Sequence, residues 1–576
     1  MSDLPAKRVG AKEFWLRFWN IAKLYWLSEE KASAWGFLGL VIVLLMSYTA
    51  MNVIITYAFR DLMTSLARKE VGLFYRQVMV VLAVLVMVAP VSGFFHYVPR
   101  KLGINWRRWL TKYFLQLYFQ NKAYYRVNWN KDIDNPDQRI SQDIGNFTIT
   151  SLSFFSVVFF SISQLIAMSG VLWSISGMLM LILVLYAVFG TVITLLFGKK
   201  LVSLNFEQLR READFRYSMV HIRNNAESIA FYGGEIQEGD HVKQRFSGLV
   251  DNYNRLIAWQ RNLTFFTGGW DSIIKILPTF VLAQIFFAGK IEFGVISQGE
   301  MAFFQVWAAV SIVISQFENL TSFAAAINRI HSFSESLKEK AASVAGEEKV
   351  HLLQGNRLAV EHLTVETPHQ RRTLVQNLSM ELKQGGSLLI VGPSGVGKSS
   401  ILRTIAGLWE SGAGQVIRPD KSEMLFLPQL PYMVIGSLRE QLLYPNVSSK
   451  IDDEVLFDIL KRVNLPDLPE RVGGLDAILD WDNVLSLGEQ QRLAFSRLLL
   501  TKPGYAILDE ATSALDLHNE AMIYQYLQQS NTVYVSVGHR ASLVQYHERV
   551  LEIQSDHGWK LLPSMDYSQK MGVSSL

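Results

Sequence analysis

Two long stretches in the first half of the sequence contain no charged residue. They cover residues 32–59 and 144–198. A helix needs about 20 mostly apolar residues to cross a hydrocarbon layer roughly 30 Å thick, because each residue advances it by about 1.5 Å. The first stretch allows one crossing and the second allows two, with a break predicted near residues 174–177. The chain is therefore predicted to be an integral membrane protein.

Further apolar stretches bring the predicted number of spans to about six. The sequence places them at residues 32–59, 77–99, the two halves of 144–198, 263–289 and from residue 301 onward. The fifth contains Asp271 and Lys275, which are costly inside a membrane and are expected near an end or against a wet cavity. Their four-residue spacing fits either an interfacial ion pair or a polar site on a substrate path.

The connections after the second and fourth spans are longer than a loop between helices requires. The spanning helices are therefore expected to continue beyond the membrane before they turn. Turn signals at residues 134–137 and 232–234 predict a short lateral helix at each tip. Many Lys and Arg residues lie between residues 100 and 143, which indicates that this side is the cytosol. An even number of spans then places both termini there.

Composition narrows the class further. The sequence has 576 residues, of which 50% are hydrophobic, and a mean hydropathy of +0.17. These values indicate a membrane part joined to a soluble part. The formal net charge of +4 does not favour a nucleic-acid partner. Because the chain has no cysteine, disulfides, thiolate metal sites and cysteine nucleophiles are excluded.

Residues 1–31 combine basic residues with aromatic residues at helical spacing. They lack the short apolar core and cleavage site of a signal peptide. The aromatic residues are Trp15, Phe18, Trp19, Tyr25 and Trp26. We expect an amphipathic helix along the cytosolic interface, because an exposed basic tail would leave these rings in water.

A charged stretch at residues 335–356 separates the apolar half from a second half of different character. From residue 358 onward, short strand and helix patterns alternate, as in an α/β nucleotide-binding domain. The predicted organisation is an N-terminal amphipathic segment (1–31), an all-α polytopic membrane domain (32–334), a linker (335–356) and an α/β domain of the P-loop NTPase type (357–576).

The segment after the apolar run 387–391 has the composition of a phosphate-binding loop. It reads Gly-Pro-Ser-Gly-Val-Gly-Lys-Ser from residue 392 and precedes a helical pattern, the setting that such a loop requires. Its glycines let backbone N–H groups surround phosphates, its lysine neutralises phosphate oxygens and its last serine ligates Mg²⁺. The predicted ATP-binding residues are Gly392, Ser394, Gly395, Gly397, Lys398, Ser399 and Ser400, and Ser399 is also a predicted Mg²⁺ ligand.

A second apolar strand pattern, residues 505–508, ends in the carboxylates Asp509 and Glu510. Such a pair is often only a cap, but the upstream phosphate loop favours a catalytic interpretation. Asp509 is predicted to hold Mg²⁺ through water. Glu510 is predicted to polarise the water that attacks the γ-phosphate.

Four more segments occur in a fixed order around these two. They are FLPQ with Gln429, LSLGEQQR at residues 485–492, SALD at residues 513–516 and SVGHR with His539. These segments resemble the Q-loop, the signature, the D-loop and the switch histidine of ATP-binding-cassette (ABC) proteins. Motifs in this order over about 150 residues are far more specific than any one of them alone.

The resemblance implies a head-to-tail pair of cassettes. Ser486 and Gly488 of one subunit would close over the ATP held by the other, and Asp516 would belong to the same nucleotide-binding set. His539 would contact the γ-phosphate, and Gln429 would act in catalysis and Mg²⁺ binding. A chain with one cassette would then be a half-transporter that works as a homodimer, with an exporter-like (type IV) membrane fold.

Further segments resemble subfamily D of the ABC transporters and their bacterial relatives, over most of the chain. They are FLPQLPYMVIGSLREQLLYP, IDNPDQRISQDI (133–144) and NAESIAFYGGE (225–235). Two positions depart from the usual pattern. Leu487 replaces a signature glycine, which predicts an altered contact across the dimer. Near Thr367 the aromatic residue that commonly stacks on adenine is missing, so GTP is an alternative nucleotide.

The predicted function is ATP-driven transport of a bulky small-molecule solute by a multi-pass protein of the bacterial inner membrane, in contact with lipid and with its cassette in the cytosol. Cobalamin is the first expectation, because the cassette resembles the cobalamin-transporting branch. Fatty acid, acyl-CoA or lipid, and peptide, are the alternatives. A non-transporting regulator of a membrane partner is disfavoured, because Glu510 and His539 are both present.

Overall fold

The computed structural model describes residues 11–129, 135–315, 317–338, 349–368 and 372–570. The chain divides into two units, Met1–Ala342 and Ser343–Leu576. The domain boundaries inferred from the sequence stay predictions, and much of the expected linker lies outside the described residues.

Every described element of the first unit is helical. The helices are α1 (Ala11–Trp26), α2 (Lys31–Ala67), α3 (Val71–Phe119), α4 (Ala123–Trp129), α5 (Pro136–Gln138), α6 (Ile144–Ile175), α7 (Gly177–Asn224), α8 (Ala226–Tyr232), α9 (Glu235–Phe287), α10 (Phe293–Ser315) and α11 (Phe317–Lys338), with a 3₁₀ turn at Gln120–Lys122 and a π-helical turn at Arg139–Asp143. The helical membrane domain expected from the sequence is confirmed.

The spans follow the apolar stretches. Within the described residues, four helices are long and apolar enough to cross a membrane, and they cover Lys31–Ala67, Val71–Asn128, Pro136–Ile175 and Glu235–Phe287; a shorter apolar helix covers Gly177–Gly190. The other predicted spans coincide with α7 and α10, and α10 begins before the expected residue 301. The side chain of Asp271 lies outside the described part of the chain, so its pairing with Lys275 stays a prediction.

The predicted break between the third and fourth spans lies at Ser176. This residue is extended (φ −159°, ψ 113°), and its side chain accepts a hydrogen bond from Leu179 N at 3.3 Å, which caps α7. The helices α3, α7 and α9 contain 49, 48 and 53 residues. At about 1.5 Å per residue they are more than twice as long as the hydrocarbon layer is thick. They therefore continue beyond the membrane, as predicted.

Helix α1 has two apolar faces. One face is buried in an aromatic cluster, where Tyr25 stacks on Trp106 with ring centroids 5.9 Å apart. The other face leaves Trp15 and Trp19 about half exposed, at 55% and 49%. A helix that is anchored on one side and exposes tryptophan on the other suits the membrane interface.

A charged pair joins two distant segments of this unit. Arg329 of α11 donates two hydrogen bonds to the carboxylate of Asp143, each 2.7 Å long. The Asp143 side chain is only 2% exposed. Arg139, one helical turn earlier, donates to Arg329 O at 2.9 Å and to Ser332 Oγ at 3.1 Å. The stretch that resembles subfamily D is therefore tied to α11 by bidentate, charge-assisted bonds.

The second unit contains strands and helices in alternation. The strands are β1 (His351–Gln354), β2 (Leu358–Glu366), β3 (Thr373–Leu382), β4 (Ser387–Val391), β5 (Gly412–Arg418), β6 (Met424–Leu427), β7 (Tyr505–Asp509), β8 (Val533–Val537), β9 (Arg549–Ile553) and β10 (Trp559–Pro563). The helices are α12 (Lys398–Ile405), α13 (Leu438–Leu443), α14 (Asp453–Arg462), α15 (Leu468–Val472), α16 (Trp481–Val484), α17 (Leu487–Thr501), α18 (Leu517–Gln529) and α19 (Ser564–Lys570). The α/β class expected from residue 358 onward is confirmed.

The strands form two sheets. One has the order β1-β5-β2-β3 and the other β10-β9-β4-β8-β7-β6. In the second sheet β9, β4, β8, β7 and β6 run parallel as neighbours. The carboxyl ends of neighbouring parallel strands lie at one edge of a sheet, which is where ligands bind in such folds. Segments that follow β4, β6, β7 and β8 are therefore brought to one place.

Candidate active site

The phosphate loop lies between β4 and α12, as predicted. Gly392 has φ 149°, and a Cβ atom there would be 2.5 Å from Ile553 O. Gly397 has φ 108°, and a Cβ atom there would be 2.8 Å from Leu374 Cβ. At both positions φ is positive and a Cβ atom would approach a neighbouring atom too closely, so both positions require glycine.

Lys398 lies at the first position of α12 and folds back over the loop. Its Nζ donates to Gly392 O and Pro393 O, both at 2.9 Å. Burial lowers the pKa of this amine, while the carboxylates of Glu510 and Asp509 act in the opposite direction. The Lys398 ammonium is thus bonded to the loop and interacts electrostatically with the two carboxylates. Ser394 is exposed on the loop, and Ser400 is buried within α12.

Ser399 and Asp509 meet across the end of the sheet. Ser399 Oγ donates to Asp509 Oδ1 at 2.8 Å. Burial raises the pKa of the Asp509 carboxyl, and the hydrogen bond from Ser399 partly offsets that rise. A hydroxyl and a carboxylate side by side are hard oxygen ligands that suit Mg²⁺. In the described part of the chain no group of three or more His, Cys, Asp or Glu residues could hold a metal.

Glu510 lies at the centre of the polar groups. Gln429 Nε2 donates to its Oε2 at 3.0 Å, and His539 Nε2 lies 3.2 Å from its Oε1. The backbone of Glu510 is left-handed, with φ 50°, and its N–H donates to Val537 O at 3.1 Å. A non-glycine residue in this region costs free energy and often marks a functional position. Residues 429, 510 and 539 are thus brought together.

The signature lies at the N-terminus of α17. Ser486 caps the helix in a capping box with Glu489, whose Oε2 accepts from Ser486 N and from Ser486 Oγ, both at 2.9 Å. Gly488 packs closely, because a Cβ atom there would lie 3.0 Å from Ala514 O. Leu487 is 37% exposed. The bonds of Ser486 lie within its own cap, so they do not connect it to the phosphate loop of the same chain.

Asp516 of the D-loop is the N-cap of α18. It accepts hydrogen bonds from Asn519 N at 2.7 Å and from Asn519 Nδ2 at 2.8 Å. These bonds, the backbone one first, lower the pKa of the Asp516 carboxyl. In this chain Asp516 therefore orders the helix that follows the D-loop.

Two residues without a predicted role connect these motifs. Gln491 is 2% exposed; its Nε2 donates to Gln429 O at 3.0 Å and its Oε1 accepts from Ala514 N at 3.0 Å. Arg540 contacts the D-loop from the switch-histidine side. Both lie inside motifs that the sequence already singles out, but their partners are far away along the chain.

The segment that precedes the phosphate loop, where an aromatic residue is expected to stack on the base, contains no such residue. Residues 349–391 include no Phe, Tyr or Trp. Thr367, at the expected stacking position, uses its Oγ1 to accept a hydrogen bond from Arg372 N at 3.1 Å.

Two family models match this chain, one in each unit. The model for "ABC transporter transmembrane region 2" matches residues 21–287, and the model for "ABC transporter" matches residues 375–513. A solved structure of a bacterial Atm1-family ABC exporter with ATP bound has a TM-score of 0.72 at 16% identity, covering 94% of this chain and 97% of that one. The exporter-like fold is thereby confirmed.

Relatives match nearly the full length. An uncharacterised ABC transporter ATP-binding protein of Synechocystis is 45% identical over 93% of this chain and 82% of its own. The chloroplastic D family member 2 of Arabidopsis thaliana is 40% identical over 96% of this chain and 88% of its own, and the human lysosomal cobalamin transporter is 31% identical over 97% and 98%. The protein is thus a member of subfamily D of the ABC transporters: a multi-pass membrane ATPase, coupled to transport, whose ATP-binding cassette lies in the cytosol.

Proposed function

We propose that the chain works as a homodimer that binds ATP with Mg²⁺, hydrolyses it at Glu510 and moves cobalamin across the membrane. The observation that carries the hydrolytic part is the Glu510 carboxylate, which lies between Gln429 and His539 and beside the phosphate loop. The inner membrane is the expected location, in keeping with the bacterial relatives.

In the proposed reaction Glu510 accepts a proton from the attacking water. Gln429 and His539 hold the carboxylate in place through contacts of 3.0 and 3.2 Å, so its orientation is set before the substrate arrives. Lys398 binds phosphate oxygens, and release of its bonds to the loop carbonyls makes its charge available. Ser399, Asp509 and Gln429 would hold Mg²⁺, which neutralises charge on the phosphates.

The homodimer is supported by the organisation of the chain. The chain matches one cassette model and one membrane-region model. Ser486 and Gly488 lie at a helix N-terminus, which can bind a phosphate of the ATP held by another subunit. A twofold pair would complete two equivalent sites. Asp516, at its own helix N-terminus, would lie beside the nucleotide in that pair.

Cobalamin is supported by relatives whose names state that substrate. The human lysosomal cobalamin transporter matches over 98% of its own length, so the likeness includes the membrane helices as well as the cassette. The substrate itself would be recognised by those helices.

A lipid or an acyl chain is the second candidate, because the first unit contains an apolar groove. The groove has a volume of about 650 Å³ and lies against α6, α7 and α10. Apart from Ser169 its lining is apolar and includes Leu165, Leu183, Val188 and Val306. Such a lining suits hydrocarbon better than a molecule rich in amides.

The test is reconstitution of the full chain in liposomes. ATP hydrolysis is measured alone and with cobalamin, acyl-CoA or peptide, together with ATP-dependent movement of each labelled compound. Stimulation and movement of cobalamin are expected, with Glu510→Gln as the inactive control. Stimulation by acyl-CoA alone would replace cobalamin with the second candidate. Hydrolysis no higher than that of Glu510→Gln would contradict the catalytic assignment.

A further inference from the structure

Arg540 follows the switch histidine, and its guanidinium lies against the D-loop of the same chain. Its Nη1 donates to Leu515 O at 2.8 Å, and its Nη2 donates to Ser513 O at 2.9 Å. A guanidinium presents its donors in a rigid plane, so two carbonyl groups that it binds are held at a fixed spacing. The D-loop backbone is therefore held against the segment that carries His539.

Glu520, in α18, is the acidic partner of this arginine. Its Oε1 lies 3.4 Å from Arg540 Nη1, and its side chain is 1% exposed. Thr512 Oγ1 donates to Oε1 and Ser542 Oγ donates to Oε2, both at 2.9 Å. Thr512 precedes the D-loop and Ser542 follows Arg540, so one buried carboxylate joins both loops.

Gln491 holds the D-loop from another side. Besides its bonds to Ala514 N and Gln429 O, its Nε2 lies 3.2 Å from Ser513 Oγ. The backbone groups of residues 513, 514 and 515 are thus bound by side chains from the signature helix and from the switch loop. Displacement of the D-loop would disturb both Gln429 and His539, which contact Glu510.

We propose that Arg540 is a positioning residue for ATP hydrolysis, whose clamp on Ser513 and Leu515, anchored by Glu520, holds the D-loop and His539 in one arrangement around Glu510. Arg540 acts through the backbone of the D-loop, without contact with the reacting atoms. The proposal rests on the proposed roles of Glu510 and His539 in hydrolysis.

The first test is Arg540→Lys in the full chain. Lysine keeps the charge but lacks the planar fork that binds two carbonyls, so kcat for ATP hydrolysis is expected to fall about tenfold while KM for ATP stays within about twofold. Arg462→Lys is the matched control, because Arg462 pairs with Asp458 at 2.8 Å on the exposed face of α14. The control is expected to retain wild-type kcat.

A second test separates positioning from folding. Arg540→Ala leaves the buried Glu520 carboxylate without its cation and is expected to lower the melting temperature. The double variant Arg540→Ala/Glu520→Gln removes that charge, so the melting temperature is expected to recover while kcat stays low. Recovery of kcat together with stability would show a structural role only.

Wild-type kcat in Arg540→Lys, or a raised KM with unchanged kcat, would overturn the proposal. The Glu510→Gln variant distinguishes this failure from that of the proposed function. If Glu510→Gln hydrolysed ATP at the wild-type rate, the catalytic assignment itself would fail, whatever the result for Arg540.

Discussion

The two units use polar side chains differently. In the cassette, Ser399 of α12 donates to Asp509 at the end of β7, and Gln429, which follows β6, donates to Glu510. In the membrane unit, buried Thr49 and Thr56 bond back to carbonyls of their own helix, at 3.0 and 2.8 Å. Hydrolysis requires particular functional groups, whereas a bilayer requires only that polar groups be satisfied within the helix. The cassette motifs therefore indicate a chemistry, while the apolar segments indicate only where the chain crosses the membrane.

The largest expected effect is loss of hydrolysis in Glu510→Gln. The amide cannot accept the proton of the attacking water, so kcat should fall about 1,000-fold, with nucleotide binding retained. Hydrolysis and binding of a fluorescent ATP analogue are measured on the same preparation. Glu454→Gln on exposed α14 is the control. Equal losses in both variants would show that the comparison does not isolate the catalytic carboxylate.

A buried histidine of the cassette, His547, is expected to affect stability and its pH dependence; it has no proposed role in hydrolysis. Burial lowers the pKa of His547 to about 4, and its ring nitrogens lie 2.7 Å from Leu543 O and 2.9 Å from Ser536 Oγ. The unfolded chain binds a proton below pH 6.5, whereas the folded chain does so only near pH 4. The free energy of unfolding should therefore decrease as the pH is lowered through this range, by about 3 kcal/mol in all.

The measurement is thermal unfolding of the full chain from pH 7 to pH 5, following the transition that ATP shifts upward. In His547→Gln that transition should depend less on pH, because the titrating group is gone. The exposed His518→Gln should behave as wild type. A pH dependence that survives in His547→Gln would assign it to another group.

The Asp143–Arg329 pair is a polar anchor within the membrane unit. Asp143→Asn weakens two bonds of 2.7 Å from Arg329, whose side chain is 43% exposed, and should reduce stability by about 2 kcal/mol. KM for ATP should not change. Thermal unfolding is the measurement, and Asp240→Asn is the control, because its pair with Lys243 is exposed. Loss of ATP affinity in Asp143→Asn would show that this pair also affects nucleotide binding, which would contradict the distinction between the two units.

The smallest effects are expected at two capping boxes of the cassette. Ser437 with Glu440 caps α13, and Ser486 with Glu489 caps α17. Alanine at either serine should cost about 1 kcal/mol of stability. Only Ser486→Ala should also lower ATP hydrolysis, because Ser486 is proposed to meet the nucleotide of the partner subunit. Equal hydrolysis in both variants would contradict that contact.

Local sequence patterns predicted the helix break in the membrane unit and the loop that forms the nucleotide site. The break at Ser176 and the phosphate loop between β4 and α12 follow from nearby residues, since caps, glycines and apolar length act within a few turns of chain. Helix α10 begins at Phe293, before residue 301, where the sixth span is predicted to begin, and residues 293–300 include the polar Gln298 and Glu300. In the structure Gln298 is buried and Thr279 donates to Glu300.

Pairings between distant residues were not predicted. The D-loop clamp of Arg540 and the tie between Arg329 and Asp143 join segments whose spacing along the chain carries no periodic signal. The left-handed backbone of Glu510 is likewise set by the sheet edge around it, since nothing in its own side chain favours that conformation.

By itself, the sequence determined that an apolar helical half precedes an ATP-binding cassette with a glycine-rich loop between a strand and a helix, because apolar length and the strand–loop–helix order are local properties. Only the tertiary structure decided which polar groups meet: neighbouring parallel strands bring Gln429, Glu510 and His539 to one edge of a sheet. Those contacts depend on strand order, and strand order is a property of the whole folded domain.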